Sequence, residues 1–200
     1  MLSAGSVLAA IWIVFAAYWA VSAFNVKRNI RDGGNVSRVH RAWFRIALIA
    51  FVVWAMSEIS YRTGGAAQPG GIFEAAPPGG FPPAVRYLGA AIAAAGIGFA
   101  IWARSHLGRN WSPYPSLKEG HELVTAGPYR FVRHPIYTGI FAAVFGTALV
   151  QGPAWFVALA AACAVFIWRI QAEERIMEAQ FPREYREYRR GTKAFIPYIW

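Results

Sequence analysis

The sequence predicts an all-α integral membrane protein of about five transmembrane segments, the last two forming a short helical hairpin, with a polar pocket on the cytoplasmic side. Three observations predict it. Of the 200 residues, 56% are hydrophobic and only 15% charged, against roughly 25% charged in a soluble domain. Mean hydropathy is +0.32. The charges also fall in blocks between long uncharged runs. A disordered chain and a water-soluble globule are both excluded by this pattern.

The first 26 residues carry no Asp, Glu, Lys, Arg or His, enough at about 1.5 Å per residue to cross roughly 30 Å of hydrocarbon. A span over 5–24 follows. Lys27, Arg28 and Arg31 come after it rather than before, the reverse of a secretory signal, so the helix is expected to be uncleaved. A second span is expected over 46–59, extended toward Trp43 and Tyr61, with Glu58 read as an interfacial carboxylate. Residues 62–83, rich in Gly and Pro, form a loop. The third span covers 84–103, where Gly89, Ala93 and Ala100 belong to a small-residue face suited to close helix packing.

From Pro135 to Trp168 run 34 residues without a charge. A single helix of that length would measure about 51 Å, and Pro153, after Gln151-Gly152, interrupts its hydrogen bonding. Two antiparallel legs of about 15 to 17 residues fit better, tilted, partly interfacial or packed inside the bundle. The organisation divides into 1–83, N-terminal membrane helices and loops, and 84–200, a membrane core with a cytoplasmic C-terminal segment.

Basic residues set the orientation. Six lie between 27 and 45, five between 104 and 133 and seven between 169 and 193, whereas the loop 61–83 holds only Arg62. An N-terminus outside and a C-terminus in the cytoplasm put all three clusters on one side. The membrane is a bacterial inner membrane, or the endoplasmic reticulum in a eukaryote. Membrane lipids account for the net charge of +10, so no nucleic-acid partner is expected and no obligate protein partner is inferred. Cys163 stands alone and reads as a small buried hydrophobe. The four histidines, at 40, 106, 121 and 134, have no metal-ligand spacing, and no metal is expected.

The informative polar residues gather on the cytoplasmic side: Ser105 to Ser112, His121 to Gly139, and Glu173-Glu174 with the polar tail. Pro135 suits the first turn of a helix, leaving free N–H groups near 135–138 beside Arg130, Arg133 and His134 as an anion site. Arg130 and Arg133 also read as cytoplasmic anchors. His134 is a candidate hydrogen-bond donor, acid or base, and Tyr137 sits on a neighbouring face of the same helix. Adjacent residues are about 100° apart on a helix, so one of Glu173 and Glu174 faces a pocket while the other pairs with Arg169 or Arg175. No glycine-rich nucleotide loop and no nucleophile elbow is present.

These residues carry a resemblance. Leu107-Gly108 with Asn110-Trp111-Ser112, the run Leu123 to Arg130, Arg133-His-Pro-Ile-Tyr-Thr-Gly139, and Glu173-Glu174 followed by Phe181, Tyr185, Tyr188, Ile196 and Pro197 resemble the isoprenylcysteine carboxyl methyltransferase family and related integral-membrane phospholipid methyltransferases. The resemblance implies an enzyme using S-adenosyl-L-methionine in a cytoplasm-facing pocket, with a lipophilic or lipid-linked methyl acceptor arriving from the membrane. It implies cofactor binding by Leu123, Val124, Gly127, Tyr129, Arg130, His134, Pro135, Tyr137, Glu173, Glu174, Tyr185 and Tyr188. His134, Glu174 and Arg175 are the candidate catalytic residues. An ionised carboxylate acceptor needs no general base, whereas an amine does, and Glu174 or His134 is then the candidate. Two positions depart from the family pattern: Pro182 replaces a glycine, and Ala194-Phe195 stand where an arginine is usual. Arg175 and Arg189 are candidates to compensate for that arginine. Membrane sterol reductases share a comparable His-Pro-x-Tyr element, and nicotinamide binding separates them; a non-enzymatic assembly or transport role predicts that neither cofactor binds.

Overall fold

The computed structural model describes residues 3–22, 29–32, 80–112, 116–120, 122–153 and 155–195. The expected span at 46–59, most of the loop at 62–83, and His40, Glu58, His121, Ile196 and Pro197 lie outside them. Among the described residues five helices follow in chain order: α1 Ala4–Ser22, α2 Pro83–Leu107, α3 Pro135–Gln151, α4 Trp155–Gln180 and α5 Glu184–Gly191. Short 3₁₀ turns cover Gly108–Asn110 and Gly127–Arg130. Helices α1, α2 and α4 are long and apolar enough to cross a membrane, and α3 is a shorter apolar helix.

Local chemistry sets the boundaries. Prolines open α2 and α3 at a position where the missing N–H is not needed. Gly108 closes α2 with a φ of 53°, its N–H bonded to Arg104 O. Gly152 closes α3 at φ 110°, donating to Ala148 O at 2.8 Å, and Pro153 follows. The chain then turns directly into α4, giving the expected hairpin. Its second leg is longer than the uncharged run, because α4 continues through Arg169 and the two glutamates to Gln180.

Glycines let α2 and α3 meet in antiparallel contact. Gly89 lies on Gly146, and Gly96 on Gly139; a Cβ on Gly96 would sit 2.5 Å from Gly139 O and 2.7 Å from Ala143 N. Backbone cannot yield there as a flexible side chain can. Gly96→Leu should therefore lower the thermal midpoint in detergent, by the equivalent of about 1–3 kcal/mol or more. Gly98→Leu, where a Cβ meets nothing within 4 Å, should leave it unchanged. Equal loss in both variants would contradict this packing.

Helix α1 seals the α2–α3 pair. Ala4 and Leu8 pack with Ala90, Ala93 and Val150, and the Trp12 indole N–H donates to Thr147 Oγ1 at 3.0 Å. The other faces of the helices carry Ile13, Val21, Leu88 and Val157, the last 75% exposed, a surface that suits lipid rather than water. Buried Arg104 joins the ends of α1 and α2: Nη1 donates to Gly108 O and Nη2 to Ser22 O, both at 2.7 Å.

The C-terminal ends of α1 and α2 therefore lie together, and these helices run in the same direction. One feature adds to the all-helical expectation: β1 Asn29–Asp32 pairs antiparallel with β2 Ser116–Lys118, Asn29 opposite Lys118 and Asp32 opposite Ser116. The ribbon pairs Arg31 of the first basic cluster with the Leu117–Lys118 stretch of the second, at the end of the bundle where α1 and α2 finish.

Candidate functional site

At this end, where α3 begins and α4 turns polar, lies a cavity of about 420 Å³. Its position follows from a strap formed by the C-terminal segment. Arg133 N–H donates to Lys193 O at 2.8 Å and His134 N–H to Ala194 O at 3.0 Å. The Thr138 hydroxyl donates to Phe195 O at 2.6 Å. These bonds fix the residues that enter α3, so the His134 and Tyr137 rings face α4 in near-parallel planes, 5.8 Å apart.

Glu173 lies on the cavity wall and accepts from Tyr137 Oη at 2.5 Å and Arg169 Nε at 3.1 Å. Arg169 Nε also donates to Tyr137 Oη at 2.5 Å, closing a three-membered network. Glu174 turns away from the cavity. Its Oε1 accepts from Arg133 Nε at 2.9 Å and Nη2 at 2.7 Å, while Arg133 Nη1 donates to Thr192 O. His134 bridges the two acids, Nδ1 at 3.6 Å from Glu173 Oε2 and Nε2 at 3.4 Å from Glu174 Oε1.

Burial alone would push the His134 imidazole down, but its contacts with Glu173 and Glu174 outweigh this and raise it above its ordinary value. The imidazolium therefore contributes stability that is complete below the unfolded value of about 6.5 and disappears as pH rises through the higher folded value. Thermal stability should fall on that alkaline side, and His134→Gln should remove this component. An unaltered pH profile in His134→Gln would count against the bridge. Burial raises Tyr129, Tyr185 and Tyr188 above the usual phenol range, keeping them protonated. Tyr188 Oη accordingly donates to Tyr129 O at 2.5 Å.

Of the residues singled out in the sequence, Leu123, Val124, Tyr129, His134, Pro135, Tyr137, Glu173, Tyr185 and Tyr188 share the cavity wall. Glu174 supports it from behind. Three others stand outside the wall. Gly127, at φ 60°, packs so closely on His106 that a Cβ would strike the ring. Arg130 is exposed, its guanidinium over Phe131 at 4.5 Å. Arg175 is exposed too, because one residue beyond Glu174 is about 100° further round the helix.

Arg133 is a buried ion-pair partner, its side chain 8% exposed, rather than the surface anchor its place in a basic cluster suggested. The sequence reading also left out an aromatic wall, formed by Phe15 and Trp19 of α1 with Trp111. Trp19 meets Trp111 edge-on at 6.3 Å, and Arg104 lies over Trp111 at 4.5 Å. The signal available in the sequence was the aromatic spacing of four residues within α1, which a uniformly apolar helix conceals.

A family model described as phospholipid methyltransferase matches residues 85–184. The nickel-cobalt-cadmium resistance protein NccN of Alcaligenes xylosoxydans xylosoxydans is 33% identical over 94 residues, 46% of this chain and 44% of that protein. Protein-S-isoprenylcysteine O-methyltransferase B of Arabidopsis thaliana is 34% identical over 88 residues, 41% of this chain and 43% of its own. The matched stretches thus span less than half the length of these relatives. A solved eukaryotic intramembrane Ras methyltransferase, ICMT (isoprenylcysteine carboxyl methyltransferase), aligns with 80% of this chain and 53% of its own at a TM-score of 0.53 and 21% identity. That likeness is one of fold.

Proposed function

The chain belongs to the phospholipid methyltransferase family, and on that premise we propose that it transfers a methyl group from S-adenosyl-L-methionine to a lipophilic acceptor at the cytoplasmic face of the membrane. The acceptor group is the carboxylate of an isoprenylcysteine-like molecule, in keeping with the name of the Arabidopsis relative. The observation that carries the reading is Glu173, a carboxylate on the wall of a cavity that is otherwise largely aromatic and aliphatic.

The residues fit such a donor. Its cationic groups suit Glu173 and the ring faces of Tyr137 and Phe166, which stack at 5.2 Å. Asn110 Oδ1, in the wall, is buried with no hydrogen-bond partner among the described residues, and a buried acceptor of this kind is stabilised by a ligand donor such as an exocyclic amine. A volume of about 420 Å³ is in the range of small-molecule sites, roughly 300–1,000 Å³.

When bound, S-adenosyl-L-methionine supplies an electrophilic methyl group on a sulfonium. The protein's part is orientation and electrostatics. Glu173, held by Tyr137 and Arg169, presents a fixed negative charge, and the aromatic wall excludes water from the reacting atoms. His134 and Glu174 act as positioning residues: one links the two acids and the other holds Arg133 and, through it, the strap. A carboxylate acceptor requires no proton transfer, so neither has to act as a base. Exposed Arg175 has no part in this arrangement.

Calorimetric titration of the detergent-purified protein with S-adenosyl-L-methionine and with NADPH tests the reading. Saturable binding of the first alone is expected, weakened in His134→Ala and Glu174→Ala. Binding of NADPH without S-adenosyl-L-methionine would instead identify a reductase.

A further inference from the structure

Helix α5, Glu184–Gly191, has two faces of opposite character. Tyr185 and Tyr188 line the cavity. At about 100° per residue, Arg186 and Arg190 lie on the opposite side, in line with Arg183 just before the helix. All three are exposed, as is Lys193 just beyond the helix. None of these four forms an ion pair among the described residues, whereas Arg189, to the side, pairs with Glu178. Glu187 flanks the row and Glu184 lies nearer the buried side, so the outer face keeps a net positive charge.

The strap sets the level of this face. Phe195 packs against Phe141 of α3 and Phe166 of α4, both on apolar helices. Exposed Trp168 and then Arg169 follow Phe166 on α4, the order expected where hydrocarbon gives way to headgroups. Lys193 stands two residues before Phe195 and Arg190 five, at most about 7 and 18 Å of chain. The headgroup layer is roughly 5–7 Å deep on each side of the hydrocarbon, and attraction to its charge extends about 8–10 Å further.

Resting on the reading of the cavity as a donor site, we propose that the outer face of α5 docks on anionic headgroups of the adjoining leaflet, and that this docking closes the helix over the bound donor. Guanidinium forks match phosphate oxygens, and each Lys or Arg near an anionic leaflet adds to the attraction. Anchorage of the row at the hydrocarbon edge favours a lipid surface over a soluble acidic partner.

Docking and closure are coupled through the helix itself. Eight residues are too few for a helix to hold alone in water, where about 12–15 are needed. Contacts hold α5 instead: Tyr188 Oη on Tyr129 O at 2.5 Å, Arg133 on Arg189 O and Thr192 O, and Arg189 on Glu178. The turn that aligns the cations outside also sets Tyr185 and Tyr188 inside. An anionic surface that favours the aligned row favours the tyrosine wall, and a ligand against that wall favours the row in return.

Nanodiscs of phosphatidylcholine alone, or of an equimolar mixture with phosphatidylglycerol, test this with the full-length protein. S-Adenosyl-L-homocysteine is the ligand, because as a net-neutral zwitterion it is not concentrated by the bilayer's own charge. Its affinity should be at least about fivefold tighter in the mixture, and the gain should shrink as salt rises. Without ligand, hydrogen exchange of the α5 amides should be slower in the mixture. Arg186→Gln/Arg190→Gln/Lys193→Gln should lose both effects while keeping the wild type's affinity in phosphatidylcholine. Arg186→Lys/Arg190→Lys should retain both.

A wild type with the same exchange and affinity in the two bilayers overturns the docking, as does a triple variant that retains the gain. Slower exchange with unchanged affinity overturns the closure. Polyglutamate that protects α5 in detergent, where anionic nanodiscs do not, assigns the face to an acidic protein and overturns the lipid surface. Folded protein that binds no S-adenosyl-L-homocysteine in either bilayer overturns the reading of the cavity and the closure with it, while the exchange difference still decides the docking.

Discussion

Glu173→Gln should lower methyl transfer by about 100-fold or more, with much of the loss appearing as weaker binding of the donor. The change keeps the shape of the side chain and removes its charge. In the cavity Glu173 accepts from Tyr137 and Arg169 and faces His134, so the substitution weakens charge-assisted bonds worth roughly 1.5–3 kcal/mol each. It also leaves Arg169 and the imidazolium without their negative partner. Calorimetry with S-adenosyl-L-homocysteine measures the binding component, and a radiolabelled methyl assay measures the whole. Unchanged donor affinity in a folded Glu173→Gln protein would remove this residue from the donor site.

The second large effect is on stability. Glu174→Gln leaves Arg133 buried with its counter-charge gone, and breaking such a pair from one side costs about 3–5 kcal/mol. The strap should loosen with it, since Arg133 also holds Thr192 O and, through its backbone N–H, Lys193 O. The thermal midpoint should fall sharply. Replacing both partners, Arg133→Met with Glu174→Leu, should recover much of the loss, because an apolar pair of similar volume avoids the unpaired charge. A residue acting directly on the substrate would show no such recovery of stability. If the double variant is no more stable than Glu174→Gln, the pair does not act as described.

Much of this arrangement was legible in the sequence, and particular residues explain why. The uncharged runs gave the three long helices and the hairpin, because crossing hydrocarbon demands length and apolarity whatever the packing partner. Gly152-Pro153 marked the turn because its chemistry is local. Gly89 and Ala93 marked the α2–α3 contact because close approach requires small residues. The convergence of the His134 region with Glu173 and Glu174 followed from motif order and charge placement.

Other features depend on pairings across long sequence separations. Neither the β1–β2 ribbon, built from the short polar segments Asn29–Asp32 and Ser116–Lys118, nor the strap has a hydrophobic period to announce it. Arg133 and Arg130 are both basic residues of one cluster, yet one is buried against an acid on α4 and the other exposed. Arg169 and Arg175 flank the same two acids and are separated by rotation about α4. Only the three-dimensional partner distinguishes these pairs.

The most direct test of the account is to supply the purified protein with methyl-tritiated S-adenosyl-L-methionine and N-acetyl-S-farnesylcysteine, then treat the product with mild alkali. The account predicts that label passes to the lipophilic product and is released by alkali as volatile methanol, as a methyl ester requires, and that Glu173→Gln lowers this transfer by the same large factor. Folded protein that transfers no label, or forms an alkali-stable methylated product, would contradict it.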